Sequence, residues 1–150
     1  MLVAYVAAGM RLRGHGLGEL WGRISPLDPL WGLLTAAAML ALWLLLMPDQ
    51  PAAPRTDRAL WLLVAAVVAV CEELVFRGYL QRQFSSFGFW PAALAQAVVF
   101  ASAHANQGFA AATGVGCCGL ALACLVRARG GLAAAVVAHF ALDACAAFWP

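Results

Sequence analysis

A chain of 150 residues fits one domain, and it is 65% hydrophobic with only 11% charged residues, against about 25% in soluble proteins. This balance excludes an ordinary soluble domain and predicts an integral membrane protein. The net charge of +2 is small and the arginines are scattered, so we expect no nucleic-acid partner. Five cysteines lie in apolar segments without a CxxC pair, and we expect them to pack as small hydrophobic residues.

The sequence divides into an N-terminal interfacial connector, residues 1–28, and a transmembrane helical core, residues 29–150. The apolar run Met1–Met10 is too short to span a membrane, and it precedes two arginines, which reverses the order of a signal peptide. Trp21 suits an aromatic anchor at the membrane surface. His15 lies between two glycines, and we expect it to be solvated.

Five apolar segments predict an all-α fold, a polytopic bundle of transmembrane helices. Loops that contain Pro, Gly or charged residues separate these segments. The fourth segment holds Ala110, Gly114 and Cys118 in a small-xxx-small spacing, which allows close packing against another helix. The predicted segments run from Leu30 to Met47, Ala59 to Phe84, Trp90 to His104, Phe109 to Val126 and Leu132 to Trp149.

Arginines are distributed unequally between the two sets of loops. The poorer side has only Arg55 and Arg58, so the positive-inside rule places the opposite side, with the connector, in the cytoplasm. The helical rise then puts Glu72 and His139 both about 10 Å below the cytoplasmic boundary, at one depth. Abundant Ala and Arg without Lys suggest a bacterial inner membrane. The richer side collects Arg11, Arg13, Arg23, Arg82, Arg127 and Arg129.

The second predicted span carries three charged residues, Glu72, Glu73 and Arg77. A charge near the centre of a span costs about 2.5 to 3.5 kcal/mol, so such groups face a bundle interior and mark a functional site. Glu73 and Arg77 are four residues apart with the acid first, which predicts a helical ion pair. Glu72 has no partner at i+3 or i+4 and is a candidate general base.

Polar residues in the later spans repeat a helical spacing, so that each set lines one helix face. Taken alone, His104 fits a helix-end residue that binds a carbonyl group, and His139 with Asp143 fits a polar clip between helices. Together with Glu72, these costly groups are expected to converge on each other or on water. The two sets are Gln96, Phe100 and His104, and His139 and Asp143.

Three short motifs stand in order over residues 72–143: Glu72–Arg77 (EExxxR), Phe100–His104 (FxxxH) and His139–Asp143 (HxxxD). Together they resemble the signature of the CPBP intramembrane proteases. That family includes the CAAX prenyl endoproteases and the bacterial Abi proteins linked to bacteriocin processing and self-immunity. The candidate catalytic residues that this resemblance gives are Glu72, Glu73, Arg77, His104, His139 and Asp143.

The resemblance implies an all-helical membrane endopeptidase in which Glu72 and His104 activate a water molecule to attack a peptide bond. It further implies that His139 and Asp143 stabilise the oxyanion. Asp143 stands where the eukaryotic prenyl proteases have Asn, and an ionised carboxylate cannot donate a hydrogen bond. We therefore expect His139 to be the donor and Asp143 to orient it.

Two mechanisms and three classes of function remain open. Either Glu72 and His104 hold the water without a cofactor, or Glu72, His104 and His139 bind a divalent metal such as zinc. The resemblance favours the metal-free mechanism, and the chain has no HExxH motif. The alternatives to a protease are a non-catalytic immunity or scaffold protein, and a small transporter with a proton-relay carboxylate. A transporter of this size would need an internal repeat or an oligomer, and no repeat is visible.

The expected partners are the lipid bilayer and a membrane-anchored peptide or protein substrate. We expect the active site to open toward the cytoplasm and cleavage to occur near the cytoplasmic end of the substrate. A bacterial source would argue against prenylated CAAX proteins as substrates.

Overall fold

A computed structural model of the protein describes residues 18–46, 57–146 and 148. Within these residues the fold is all-α, and α2, α3 and α5 are long and apolar enough to cross a membrane. The shorter helices α4 and α6 are also apolar. The predicted transmembrane bundle is therefore confirmed, with helix ends within a few residues of those predicted. The helices are α1 (Gly18–Trp21), α2 (Asp28–Leu46), α3 (Arg58–Gln83), α4 (Phe89–Ala103), α5 (Phe109–Arg129) and α6 (Ala133–Ala146).

Several sequence predictions lie outside the described residues. They concern Met1–Met10, Arg11, Arg13, His15, Arg55 and the ends of two predicted spans at Met47 and Trp149.

Helix α3 changes its winding in the middle. It is α-helical over Arg58–Glu73, a π-helix over Leu74–Leu80 and α-helical again over its last turn. In the π-helix each N–H group reaches one residue further back, so that Gln81 donates to the carbonyl oxygen of Phe76. Such segments are rare and frequently mark functional sites. Here the π-helix begins directly after the two adjacent glutamates.

Small residues let the helices approach closely. Helix α6 packs against both α2 and α3, while α4 packs along α5. A Cβ atom on Gly32 would lie 2.7 Å from the carbonyl oxygen of Ala134, so α2 reaches the α6 backbone only because this residue is glycine. A Cβ atom on Gly116 would lie 3.2 Å from that of Ala101, between α5 and α4. Helices α3 and α6, which lie side by side, both carry candidate site residues.

The loops at one end of the bundle are joined to each other. Backbone hydrogen bonds pair the chain around Gly22 with the α5–α6 loop around Gly131. Arg82, near the end of α3, donates to the carbonyl oxygens of Glu19 and Leu20 at 2.8 and 3.0 Å. The predicted grouping of arginines on one side is thus confirmed for the described residues Arg23, Arg82, Arg127 and Arg129.

Candidate active site

Glu73 and Arg77 form the predicted ion pair inside the bundle. Arg77 Nη1 lies 2.7 Å from Glu73 Oε1, and both side chains are fully buried. The guanidinium carbon of Arg77 also lies 4.5 Å from the centre of the Phe100 ring, a distance typical of a cation–π contact. Three further atoms of the pair, Arg77 Nε and Nη2 and Glu73 Oε2, have no hydrogen-bond partner in the described part of the chain. The pair is therefore held by a short hydrogen bond, and the guanidinium lies over the rings of both Phe100 and Phe76.

His139, on α6, joins this pair to the rest of the site. Its Nδ1 atom lies 2.8 Å from Glu73 Oε1. We assign the proton to Nδ1, because the carboxylate already accepts from Arg77 and is the acceptor here too. The other ring nitrogen, Nε2, lies 3.6 Å from Glu72 Oε2 and 3.6 Å from Asp143 Oδ2. The carboxylate that orients the ring by a hydrogen bond is thus Glu73, whereas the sequence pointed to Asp143.

The three carboxylates around His139 differ in their access to the surroundings. The side chain of Glu73 is 0% exposed, whereas those of Glu72 and Asp143 are 28% and 34% exposed. The indole Nε1 of Trp61 donates to the backbone oxygen of Asp143 at 3.0 Å and so holds α3 against α6 at this level. The 3.6 Å contact between Glu72 and His139 puts the two at one level of the bundle. Two accessible carboxylates therefore face one side of the imidazole ring.

His104 is the residue that ends α4. Its Nδ1 atom lies 2.9 Å from the carbonyl oxygen of Phe100, which can only accept, so Nδ1 is the donor and Nε2 is left as an acceptor. The ring centre of His104 lies 4.9 Å from that of Phe100, which in turn lies 6.1 Å from that of His139. Both imidazole rings thus lie near the one aromatic ring of Phe100.

Gly119 is a residue of the site that sequence reasoning missed. A Cβ atom there would lie 3.2 Å from Arg77 Nη2 and 3.2 Å from Phe100 Cδ1. The buried side chain of Gln96 donates to the backbone oxygens of Ala93 and Gly119 at 3.0 and 3.2 Å. The sequence signals this position only by a glycine within an apolar helix. It does not indicate that the side chains of Arg77 and Phe100 occupy the space beside that glycine.

The described residues do not gather a set of metal ligands. Among residues 18–46, 57–146 and 148, no three His, Cys, Asp or Glu side chains are placed to hold one ion. A catalytic zinc needs three protein ligands. The alternative set of Glu72, His104 and His139 therefore does not fit zinc in this arrangement, and we derive no step through a metal.

Comparison with known proteins gives the family of the chain. The model of one family, described as type II CAAX prenyl endopeptidase Rce1-like, matches residues 54–145, well over half of the chain. The matched region contains all three motifs and every candidate site residue. No curated protein and no solved structure matches the chain. The chain therefore belongs to the Rce1-like type II CAAX prenyl endopeptidase family, the CPBP family that its motifs indicated.

Proposed function

We propose that this protein is an intramembrane endopeptidase that hydrolyses a peptide bond of a membrane-anchored substrate. Membership of an endopeptidase family supports the reaction class. The observation that carries the proposal is the position of His139 Nε2, 3.6 Å from both Glu72 and Asp143. These groups form an accessible acid–base set inside an apolar helix bundle. Ionisable groups there are energetically costly and usually mark a functional site.

In the proposed reaction Glu72 is the general base. It accepts a proton from a water molecule, whose oxygen attacks the carbonyl carbon of the peptide bond. His104 accepts a second hydrogen bond from the same water through its Nε2 atom and so fixes its position. When the C–N bond breaks, Glu72 returns the proton to the leaving amine nitrogen, and the carboxylic acid product keeps the water oxygen.

His139 is the proposed donor to the oxyanion. In its protonated form it donates Nε2–H to the negative oxygen, while its Nδ1–H group still donates to Glu73. Asp143, beside Nε2, stabilises the positive charge of the ring but does not donate as an ionised carboxylate. Arg77 holds Glu73 as an acceptor, so Glu73 and Arg77 are positioning residues and do not touch the substrate.

A purely structural role explains part of this arrangement. The buried contacts among Glu73, Arg77 and His139 would clip α3 to α6 in a scaffold protein as well. Packing gives no reason, however, for the partial exposure of Glu72 and Asp143, which form no hydrogen bond with the buried pair. Their exposure favours the enzyme over the scaffold.

The arginine-rich end of the bundle is the proposed cytoplasmic side. Arginines concentrate in cytoplasmic loops near the ends of spans, and at this end Arg23, Arg82, Arg127 and Arg129 are brought together. The substrate in this proposal is a transmembrane peptide of a bacterial inner membrane, cut near its cytoplasmic end. Prenylated CAAX proteins are not the expected substrate there.

The test is a cleavage assay on the purified protein in detergent with candidate transmembrane peptides. Glu72→Gln should lower turnover by about 100-fold or more, the range that general base catalysis supplies. The matched control is Asp57→Asn, which also removes a carboxylate, the one that caps the start of α3, but keeps a good N-cap for the helix. Full turnover by Glu72→Gln would remove Glu72 from the mechanism.

The same assay is run with and without a chelator. Unchanged cleavage supports the metal-free step. Loss of cleavage that added zinc restores would refute it and return the mechanism to a metal.

A further inference from the structure

A cavity separate from the candidate active site opens at the arginine-rich end of the bundle. It lies between the start of α4 and the last turns of α5, and its volume is about 420 Å³. None of its lining residues belongs to the three motifs. They are Phe89, Trp90, Cys124, Arg127 and Ala128.

Arg127 supplies the charge of this cavity. Its guanidinium carbon lies 4.6 Å from the centre of the Phe89 ring, and that ring meets the Trp90 ring edge-on at 5.0 Å. Arg127 makes no hydrogen bond or ion pair with another described residue, whereas Arg129 binds Asp28 Oδ1 at 2.9 Å. A guanidinium with one face on an aromatic ring keeps its N–H edge free, and that edge suits a phosphate group.

The first turn of α4 adds donors on the same side. Its N-cap residue is Gly88, which has no side chain to cap the helix. The N–H group of Ala92 donates to the carbonyl oxygen of Gly88. Pro91 has no N–H group. The amide donors before Ala92 are therefore those of Phe89 and Trp90, which together with the positive end of the helix dipole favour an anion. The cavity thus combines a guanidinium with a helix start and has no acidic residue in its lining.

The position of the cavity along the membrane normal indicates where its ligand comes from. Helix α5 has 21 residues, or about 31 Å, which matches a hydrocarbon core of about 30 Å. Arg127 lies in its last turn and so reaches the membrane surface. Trp90 is 62% exposed, as expected of an aromatic residue at the headgroup level. Cys124 lies one turn deeper, beside the acyl region.

We propose that this cavity binds an anionic phospholipid, with the headgroup phosphate on Arg127 and the start of α4. The glycerol and upper acyl chain lie against Trp90 and Cys124. The site is independent of the proposed proteolysis, because it shares no residue with the candidate active site.

The test measures lipid binding by native mass spectrometry of the purified full chain titrated with phosphatidylglycerol. Arg127→Gln should weaken binding about fivefold, the loss of one basic contact worth about 1 kcal/mol. The matched control is Arg58→Gln. Arg58 also lies over a phenylalanine ring, that of Phe148 at 5.4 Å, but it stands at the start of α3 and does not line the cavity. This control should bind as the unmodified protein does. Equal losses in both variants would indicate general charge attraction and overturn the proposal.

A second variant tests the cavity itself. Ala128→Leu fills the space but keeps Arg127, and an exposed helical position accepts leucine, so its thermal stability should be unchanged. It should also weaken binding of phosphatidylglycerol; unchanged binding would overturn the proposal. Glycerol 3-phosphate, which lacks acyl chains, should not displace the lipid. If it displaces the lipid at equal concentration, the site is one for a free phosphate and the lipid assignment is wrong.

Discussion

Replacing Glu73 with glutamine is expected to destabilise the protein far more than any change at the adjacent Glu72. Glu73 Oε1 accepts from Arg77 Nη1 at 2.7 Å and from His139 Nδ1 at 2.8 Å. Glu73→Gln keeps the shape of the side chain but removes its negative charge. Arg77, which is 1% exposed, is then left as a buried charge without a counterion.

Removing one partner of a buried ion pair costs about 3 to 5 kcal/mol. For a chain of this length each kcal/mol lowers the melting temperature by about 2 to 4 °C, so the expected fall for Glu73→Gln is about 6 to 20 °C. Thermal unfolding in detergent, followed by circular dichroism, measures it. Glu72→Gln is the matched control, because the Glu72 side chain is 28% exposed and forms no hydrogen bond with the pair. We expect its melting temperature to stay within about 2 °C of the unmodified protein.

A double variant separates loss of charge balance from loss of shape. Replacing both partners of a buried pair with uncharged groups is frequently close to neutral. E73Q/R77M should therefore recover most of the lost melting temperature, because no unpaired charge remains and the amide oxygen still accepts from His139. The ion pair does not have the role assigned to it if Glu73→Gln has the same melting temperature as Glu72→Gln. The same holds if the double variant has no higher melting temperature than Glu73→Gln.

Three further substitutions have distinct expected outcomes. Glu72→Ala should abolish cleavage while the protein still accumulates in the membrane, measured by turnover and by immunoblot of the membrane fraction. Asp143→Asn should keep cleavage within about tenfold, because an amide can donate to the oxyanion; a larger loss in kcat would show that the carboxylate itself is needed. Gly119→Ala should cost about 1 to 3 kcal/mol of unfolding free energy, because its Cβ atom would lie 3.2 Å from Arg77 and Phe100. Unchanged melting of that variant would mean that the guanidinium has room to move.

Local spacing explains why part of the site could be predicted from the sequence. The ion pair of Glu73 and Arg77 follows from a four-residue separation on one helix, and so does the shared face of Gln96 and Phe100, both of which are buried. The helices themselves follow from apolar length alone. In each case one element contains all the information.

Contacts between helices set the limit of that reasoning. The hydrogen bond from His139 to Glu73 joins residues 66 apart, whereas the sequence analysis gave the orienting role to Asp143 of the same motif. Similarly, the small-xxx-small spacing of Ala110, Gly114 and Cys118 predicted close packing of α5, but it does not include Gly116 and Gly119, where a Cβ atom would lie 3.2 Å from atoms of α4. Which face of a helix meets its neighbour depends on the whole bundle, and one sequence does not contain that information in its spacing.

The arrangement around His139 gives a physical reason for two adjacent glutamates. Successive residues on an α-helix point about 100° apart, so one carboxylate can be buried while the next reaches an open space. Glu73 binds the Nδ1 side of the ring in the closed interior, and Glu72 faces the Nε2 side where it is partly exposed. A single carboxylate could not do both, because Arg77 is itself fully buried, so its partner is buried too, whereas a general base must reach water. Two consecutive glutamates are the shortest helical sequence that fixes one nitrogen of a histidine and leaves a second carboxylate accessible beside the other.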